Sequence, residues 1–202
     1  MNIDWEKTGG LLPVIVQDAT TSQVLMLGYM NAEALAQTQS TKRITFFSRT
    51  KSRLWTKGET SGNYLTLTDM YLDCDGDTLL CKATPQGPTC HTGDISCFHG
   101  DSVAPAAFLG TLSQLVAARN AARPQGSYTT TLFESGTARI AQKVGEEGVE
   151  LAIARMKDDK AEIANECADL FFHALVLLED AGLKLDNVCQ ILKDRHNAQA
   201  PR

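Results

Sequence analysis

Residues 101–107, DSVAPAA, divide the chain into two stretches of different periodicity. The segment is built from small residues and carries one proline, the composition of a linker. On its N-terminal side, residues 12–16, 24–27, 44–48, 64–71 and 78–83 are short apolar or β-branched runs separated by Gly, Asn, Asp and Ser, the pattern of strands. One helix is expected over residues 31–38 with Asn31 as its N-cap, and the Gly-, Pro- and Thr-rich residues 85–93 read as loop. On its C-terminal side, residues 109–122, 136–156, 161–181 and 185–195 carry helical periodicity. A β-rich half followed by an all-α half predicts two domains rather than one interleaved α/β fold. The first, over 1–103, is α+β and mostly β; the second, over 108–202, is all-α.

The 202 residues are 43% hydrophobic and 21% charged, an ordinary globular composition. The net charge is -5 and the pI about 5.4. Duplex nucleic-acid binders carry a basic face and a high pI, so the balance argues against a nucleic-acid partner. Phosphorylated ligands would have to be met by local cations or bridging metal ions. No run approaches the ~20 apolar residues of a membrane span. The opening MNIDWEKTGG lacks an apolar signal core. A cytoplasmic location is therefore expected, with the six cysteines as free thiols. Cys167 and Cys189 fall in helical apolar patterns and are expected as buried fillers.

The other four, Cys74, Cys81, Cys90 and Cys97, crowd one stretch. Asp73-Cys74-Asp75-Gly76-Asp77 follows the run 64–71. Were the strand geometry to continue, Asp73, Asp75 and Asp77 would share one face and Cys74 the other. Three carboxylates suit Mg²⁺, and a thiolate suits Zn²⁺. Three thiolates from Cys74, Cys90 and Cys97 would leave one tetrahedral position open for water, as in catalytic zinc. Cys81, in an apolar run, is the fourth candidate, though a buried structural thiol fits it better. An acidic turn with inert cysteines is the plain alternative. An EF-hand is excluded because no glutamate closes the loop, and a nucleobase deaminase because His-x-Glu and Cys-x-x-Cys are missing.

Residues 48–63, SRTKSRLWTKGETSGN, hold Arg49, Lys51, Arg53 and Lys57. In an acidic protein this cluster points to an anionic ligand, with Ser61-Gly62-Asn63 able to present backbone N–H groups and Trp55 to stack on a base or enter the core. A solvated basic hairpin is the competing reading. In the second half, placing 136–156 on a helix at about 100° per residue makes Ile140, Val144 and Leu151 an apolar stripe. Glu147 falls inside it, with Lys143, Glu146 and Glu150 on its flank. Over 161–181, Glu162, Glu166, Asp169 and His173 form one polar stripe. Glu166 and Asp169 share a direction. Packed together, the two helices would converge several carboxylates, which repel unless cations such as Mg²⁺ intervene. An exposed polar stripe, with His173 an ordinary helix residue, is the alternative.

Seven stretches, VLMLGYMN, SRTKSRLWTKGETSGN, DCDGD, GPTCHTGDISCF, RPQGSYT, KVGEEGVE and NECADLFFHALVLLED, together resemble the bifunctional histidine-biosynthesis family that joins a phosphoribosyl-AMP cyclohydrolase to a phosphoribosyl-ATP pyrophosphatase. They occur in both halves and in the expected order. The resemblance implies Mg²⁺ on Asp73, Asp75 and Asp77, and Zn²⁺ on Cys74, Cys90 and Cys97. It also implies a homodimer whose zinc ligands come from both chains. The second half resembles a MazG-like helical pyrophosphohydrolase, with Glu147, Glu150, Glu166 and Asp169 matching its acidic pairs and Glu146 near enough to join them.

The resemblance further implies that the second domain acts first, releasing pyrophosphate by water attack at the α–β phosphate junction. Lys143 and Arg119 could offset phosphate charge, and Tyr128 could contact substrate. The first domain then opens the adenine ring at C6–N1, with His91 as candidate base or as a support for Cys90. Two competing readings are a general nucleotide pyrophosphohydrolase and a closed structural zinc module that includes Cys81.

Overall fold

The computed structural model describes residues 1–99 and 105–199, and the chain divides into two units, Met1–Phe108 and Leu109–Arg202. Most of the expected linker lies outside the described residues; its last three form the 3-10 turn Pro105–Ala107.

Up to residue 99, the described residues of unit 1 form six strands and one helix: β1 (Leu12–Asp18), β2 (Val24–Met30), α1 (Ala32–Thr41), β3 (Thr45–Ser48), β4 (Arg53–Thr56), β5 (Leu65–Leu72) and β6 (Leu79–Pro85). Four form a sheet in the order β2-β1-β6-β5, in which only β1 and β6 run parallel. The strict alternation of burial along β1 shows why its sequence reads as a strand: Leu12, Val14 and Val16 point into the core and their neighbours do not. Asn31 caps α1, its Oδ1 accepting from Ala34 N at 2.8 Å. The strand β4 lies inside the stretch read as a cationic cluster, for which a basic hairpin is the competing reading. The strand's apolar run is only Leu54 and Trp55, too short to read as a strand; both pack against the core, and pairing with β3 completes it.

Unit 2 is all-helical: α2 (Phe108–Ala122), α3 (Tyr128–Ser135), α4 (Thr137–Lys157), α5 (Lys160–Asp180) and α6 (Leu185–Gln199). The sequence reading missed α3, whose Thr-rich YTTTLFES has poor helix propensity. It forms because Ser127 caps it and because Leu132 and Phe133 are buried. Gly136, expected inside a helix, is instead the junction between α3 and α4, at φ 83°. Asp158, left-handed at φ 55°, ends α4, and Asp159 caps α5, so the two long helices make a hairpin. Their shared core holds Val116, Leu132, Phe133, Ile140, Leu175 and Val176. Two cysteines depart from expectation: Cys189 is exposed and Cys167 only half-buried. Among the described residues, no helix is long and apolar enough to cross a membrane.

Candidate functional sites

Unit 1 carries a cavity of about 400 Å³ lined by Met26, Trp55, Lys57, Gly58, Thr60, Ser61, Asn63, Pro88, Thr89, Cys90, His91, Gly93 and Cys97. The loop that brings the two cysteines together is tightly tied. Cys90 N donates to Asp94 O at 2.9 Å, Cys97 N donates to Leu25 O at 2.8 Å, and Ser96 Oγ donates to Val24 O at 2.8 Å. The Thr92 hydroxyl and N–H, followed by the Cys97 thiol, hold Cys90 below the ordinary thiol range, while burial and the neighbouring Cys90 push Cys97 up. Burial pushes the Lys57 ammonium down. Lys57 is only 8% exposed, and its hydrogen bond is a long one, 3.5 Å to Asn63 O. Among the residues left out of the sequence reading, Met26, Thr60 and Thr89 also line this cavity. The Thr89 hydroxyl is buried without a hydrogen-bond partner. Each lies inside one of the motif stretches, but Met26 on β2 and the threonines of two separate loops meet only in the folded chain.

The basic stretch does not act as one cluster. Trp55 packs on Phe46, with ring centroids 5.7 Å apart, and also lines the cavity with Lys57, Ser61 and Asn63. Arg49 sits over the Tyr29 ring at 3.8 Å, Arg53 pairs with Glu59 at 2.6 Å, and Lys51 is exposed. None of these three lines the cavity. His91 is at the rim, its Nδ1 3.8 Å from Cys90 Sγ. Cys81 is fully buried in β6, and burial pushes its thiol up to about 12. It is part of the sheet core, so a closed module using it as fourth ligand does not fit this geometry.

The segment 73–77 is a turn between β5 and β6, and the expected strand continuation is corrected accordingly. The turn itself gathers the carboxylates: Asp73 Oδ1 accepts from Asp77 N at 2.9 Å and Thr78 N at 3.1 Å. Asp73, Asp75 and Asp77 each place one oxygen within 4.8 Å of the others. Lys7 pairs with both Asp75 and Asp77 and lowers the Asp77 carboxyl. The sequence reading missed Lys7, which lies 68 residues from Asp75. Cys74 lines a different cavity from Cys90 and Cys97, with Asn2, Ile3 and Asp4. Among the described residues of one chain, Cys74, Cys90 and Cys97 form no common donor group.

In unit 2, Glu147, Glu150 and Glu166 converge with one oxygen from each inside 4.8 Å. Glu147, on the core side of α4, is only 4% exposed. Lys143 Nζ lies 2.5 Å from Glu147 Oε1 and 3.0 Å from Glu146 Oε2. Glu146 departs from expectation: it faces Lys143, Arg139 and Gln142 instead of entering the acidic group. Lys143 is the main cause of its lowered pKa. Burial, and then repulsion from Glu150, Glu147 and Asp169, hold Glu166 above the usual carboxylate range. Asp169 is exposed beside this group without being one of its three members. Oxygen-only donors at these separations fit Mg²⁺ chemistry in both clusters. Two adjacent thiols fit a softer metal. Arg119 Nη1 donates to Ser127 Oγ at 3.1 Å, steadying the cap of α3, and Tyr128 stacks on Phe172 at 6.1 Å.

Comparison with known proteins gives each unit a family. Residues 26–99 match the phosphoribosyl-AMP cyclohydrolase model, and residues 109–196 match the phosphoribosyl-ATP pyrophosphohydrolase model. Fold and sites thus define a bifunctional hydrolase with one activity per unit. Among its relatives, the histidine biosynthesis bifunctional protein HisIE of Vibrio vulnificus (strain YJ016) is 59% identical over 196 residues, which cover 96% of this chain and 93% of the relative. The corresponding protein of Escherichia coli (strain K12) is 58% identical over 194 residues, 96% and 95% of the two chains. That of Photobacterium profundum is 56% identical over 200 residues, 96% and 97%. The chain belongs to the HisIE family of bifunctional histidine-biosynthesis enzymes.

Proposed function

We propose that unit 2 hydrolyses phosphoribosyl-ATP to phosphoribosyl-AMP and pyrophosphate, and that unit 1 then opens the adenine ring of phosphoribosyl-AMP at C6–N1. The observation that carries the first step is Glu147, a carboxylate 4% exposed and aimed with Glu150 and Glu166 at one point. A buried carboxylate with two others aimed at the same point is costly unless cations balance it. Glu147, Glu150 and Glu166 would hold Mg²⁺, with Asp169 at the exposed edge. Bound there, it would supply phosphate-charge neutralisation and an acidified water. Lys143 balances Glu147 and is placed to meet the entering phosphates. The Tyr128 ring, 54% exposed and backed by Phe172, offers a flat face to the purine.

In unit 1, Cys90 and Cys97 would hold Zn²⁺ together with Cys74 of a second copy of the chain. The placement of Cys74 in a separate cavity supports that homodimer. Zinc so held would supply an activated water for addition at C6. His91 accepts the proton of that water and returns it to N1 as the C6–N1 bond breaks. Lys57, Ser61 and Asn63 orient the ribose phosphates, and Trp55 borders the base. The acidic turn 73–77 would hold a second Mg²⁺. A cytoplasmic location fits both the phosphoribosyl nucleotide substrates and the thiol chemistry.

The test is to supply purified protein with phosphoribosyl-ATP, Mg²⁺ and Zn²⁺, and to follow pyrophosphate and ring-opened product separately. Both are expected, pyrophosphate first. Equal turnover of ordinary nucleoside triphosphates would refute the substrate assignment.

A further inference from the structure

The helical unit contains a buried side chain that the proposed mechanism does not use. His173, on α5, is 3% exposed, and its Nε2 lies 3.5 Å from Glu147 Oε1 on α4. The ring is held edge-on by two aromatic neighbours, Phe172 at 5.1 Å and Tyr128 at 6.0 Å between centroids. Its second nitrogen, Nδ1, is buried and has no hydrogen-bond partner.

Each of these features bears on Glu147. A glutamate has three side-chain torsions, so burial alone does not set which oxygen faces a guest. Lys143 and His173 approach the same oxygen, Oε1, from different elements. At 3.5 Å the imidazole stands at the edge of hydrogen-bond range, and drawn in against Oε1 it would leave Oε2 for a cation. The imidazole is the stiffer of the two holders, because its ring is wedged among aromatics whereas the lysine stem is flexible. With the proton on Nε2, Nδ1 is an acceptor. Buried acceptors are rarely left unpaired, so Nδ1 marks a place where a hydrogen-bond donor arrives with the bound state.

We propose that His173 is a positioning residue for the pyrophosphohydrolase site: its Nε2–H fixes the direction in which Glu147 presents its carboxylate to a divalent cation, and its Nδ1 accepts from a hydroxyl group or water that enters with the cation. This rests on the reading of Glu147 as a cation ligand. Residues that orient a ligand from behind commonly change metal affinity by about 10–100-fold when removed.

The experiment measures Mn²⁺ binding to the full-length, metal-stripped protein by electron paramagnetic resonance. The site is defined as the one abolished by Glu147→Gln. His173→Gln keeps a donor at the Nε2 position, His173→Asn places its amide near Nδ1, and His173→Phe keeps only the flat ring. The expected result is Mn²⁺ affinity weakened about 10–100-fold in His173→Phe and His173→Asn, with His173→Gln close to the parent. Pyrophosphate release should follow the same order, with ring opening in the same samples reporting an intact unit 1. Unchanged Mn²⁺ affinity in a folded His173→Phe protein overturns the proposal. Should that variant fail to fold, equal affinities of His173→Gln and His173→Asn overturn it instead. If Glu147→Gln itself leaves every Mn²⁺ site in place, the reading of the acidic group fails first, which separates the two failures.

Discussion

Lys7 Nζ lies 2.5 Å from Asp75 Oδ2 and 2.6 Å from Asp77 Oδ2, so an ammonium already stands among the carboxylates of the acidic turn. A divalent cation binding the same oxygens must displace it. Lys7→Met should therefore bind Mg²⁺ more tightly at this turn than the parent does, as read by calorimetry. The pairs are exposed, so the gain should shrink as salt screens the parent's own ion pairs. Identical isotherms would show that lysine and metal do not compete.

The two hydrolyses should separate by mutation. Glu147→Gln should lower pyrophosphate release at least about a hundredfold, since metal-supplied charge stabilisation is worth several kcal/mol and about 1.4 kcal/mol is tenfold. Hydrolysis of supplied phosphoribosyl-AMP should survive. Cys90→Ala should do the reverse and lose zinc by elemental analysis. Loss of both activities in either variant, with its fold retained, would contradict one site per unit.

Glu166 makes the stability of unit 2 depend on pH. Burial, with Glu150 the next cause, raises its pKa above 4.5, so the folded metal-free protein holds this proton more tightly than the unfolded chain does. Stability from this group is present below pH 4.5 and is lost as pH rises through the raised value. Glu166→Gln should accordingly melt higher than the parent at neutral pH without metal, and the difference should vanish in acid. Saturating Mg²⁺ should stabilise the parent more than the variant. A variant that melts lower than the parent at neutral pH without metal would contradict the repulsion.

Gly58 adopts φ +91°, and a Cβ there would meet Asn63 C, Asn63 O and Tyr64 N, each at 2.6 Å. Gly58→Ala should cost unit 1 about 1–3 kcal/mol in backbone strain. It should also displace Lys57 and Asn63 at the cavity wall, so that ring opening falls while pyrophosphate release is kept. A crystal structure or a melting curve checks this directly.

Much of the fold was legible in the sequence because it rests on local rules. Alternation in β1, the Asn31 cap and the 3.6-residue periodicity of α4 and α5 each act over a few residues. The misses have the opposite character. The strand β4 exists through its pairing with β3 and the packing of Leu54 and Trp55 on the core, and α3 through its cap and the burial of Leu132 and Phe133. Placing Glu147 on the apolar stripe came from periodicity alone, and its burial follows that pattern. The same periodicity sets Glu146 beside Lys143 and Arg139, three and seven positions earlier on α4; what it could not say is that these pairs would keep Glu146 out of the acidic group.

The sequence by itself determined the two-part architecture, the family and the supply of sulfur and carboxylate donors, because composition, spacing and short-range periodicity are properties of the chain read in order. Only the tertiary structure decided that Cys74 parts from Cys90 and Cys97, that Lys7 reaches Asp75, and that His173 stands behind Glu147. Each of these depends on which distant segments are packed side by side, and that is settled by burial of the whole core rather than by any local run of residues.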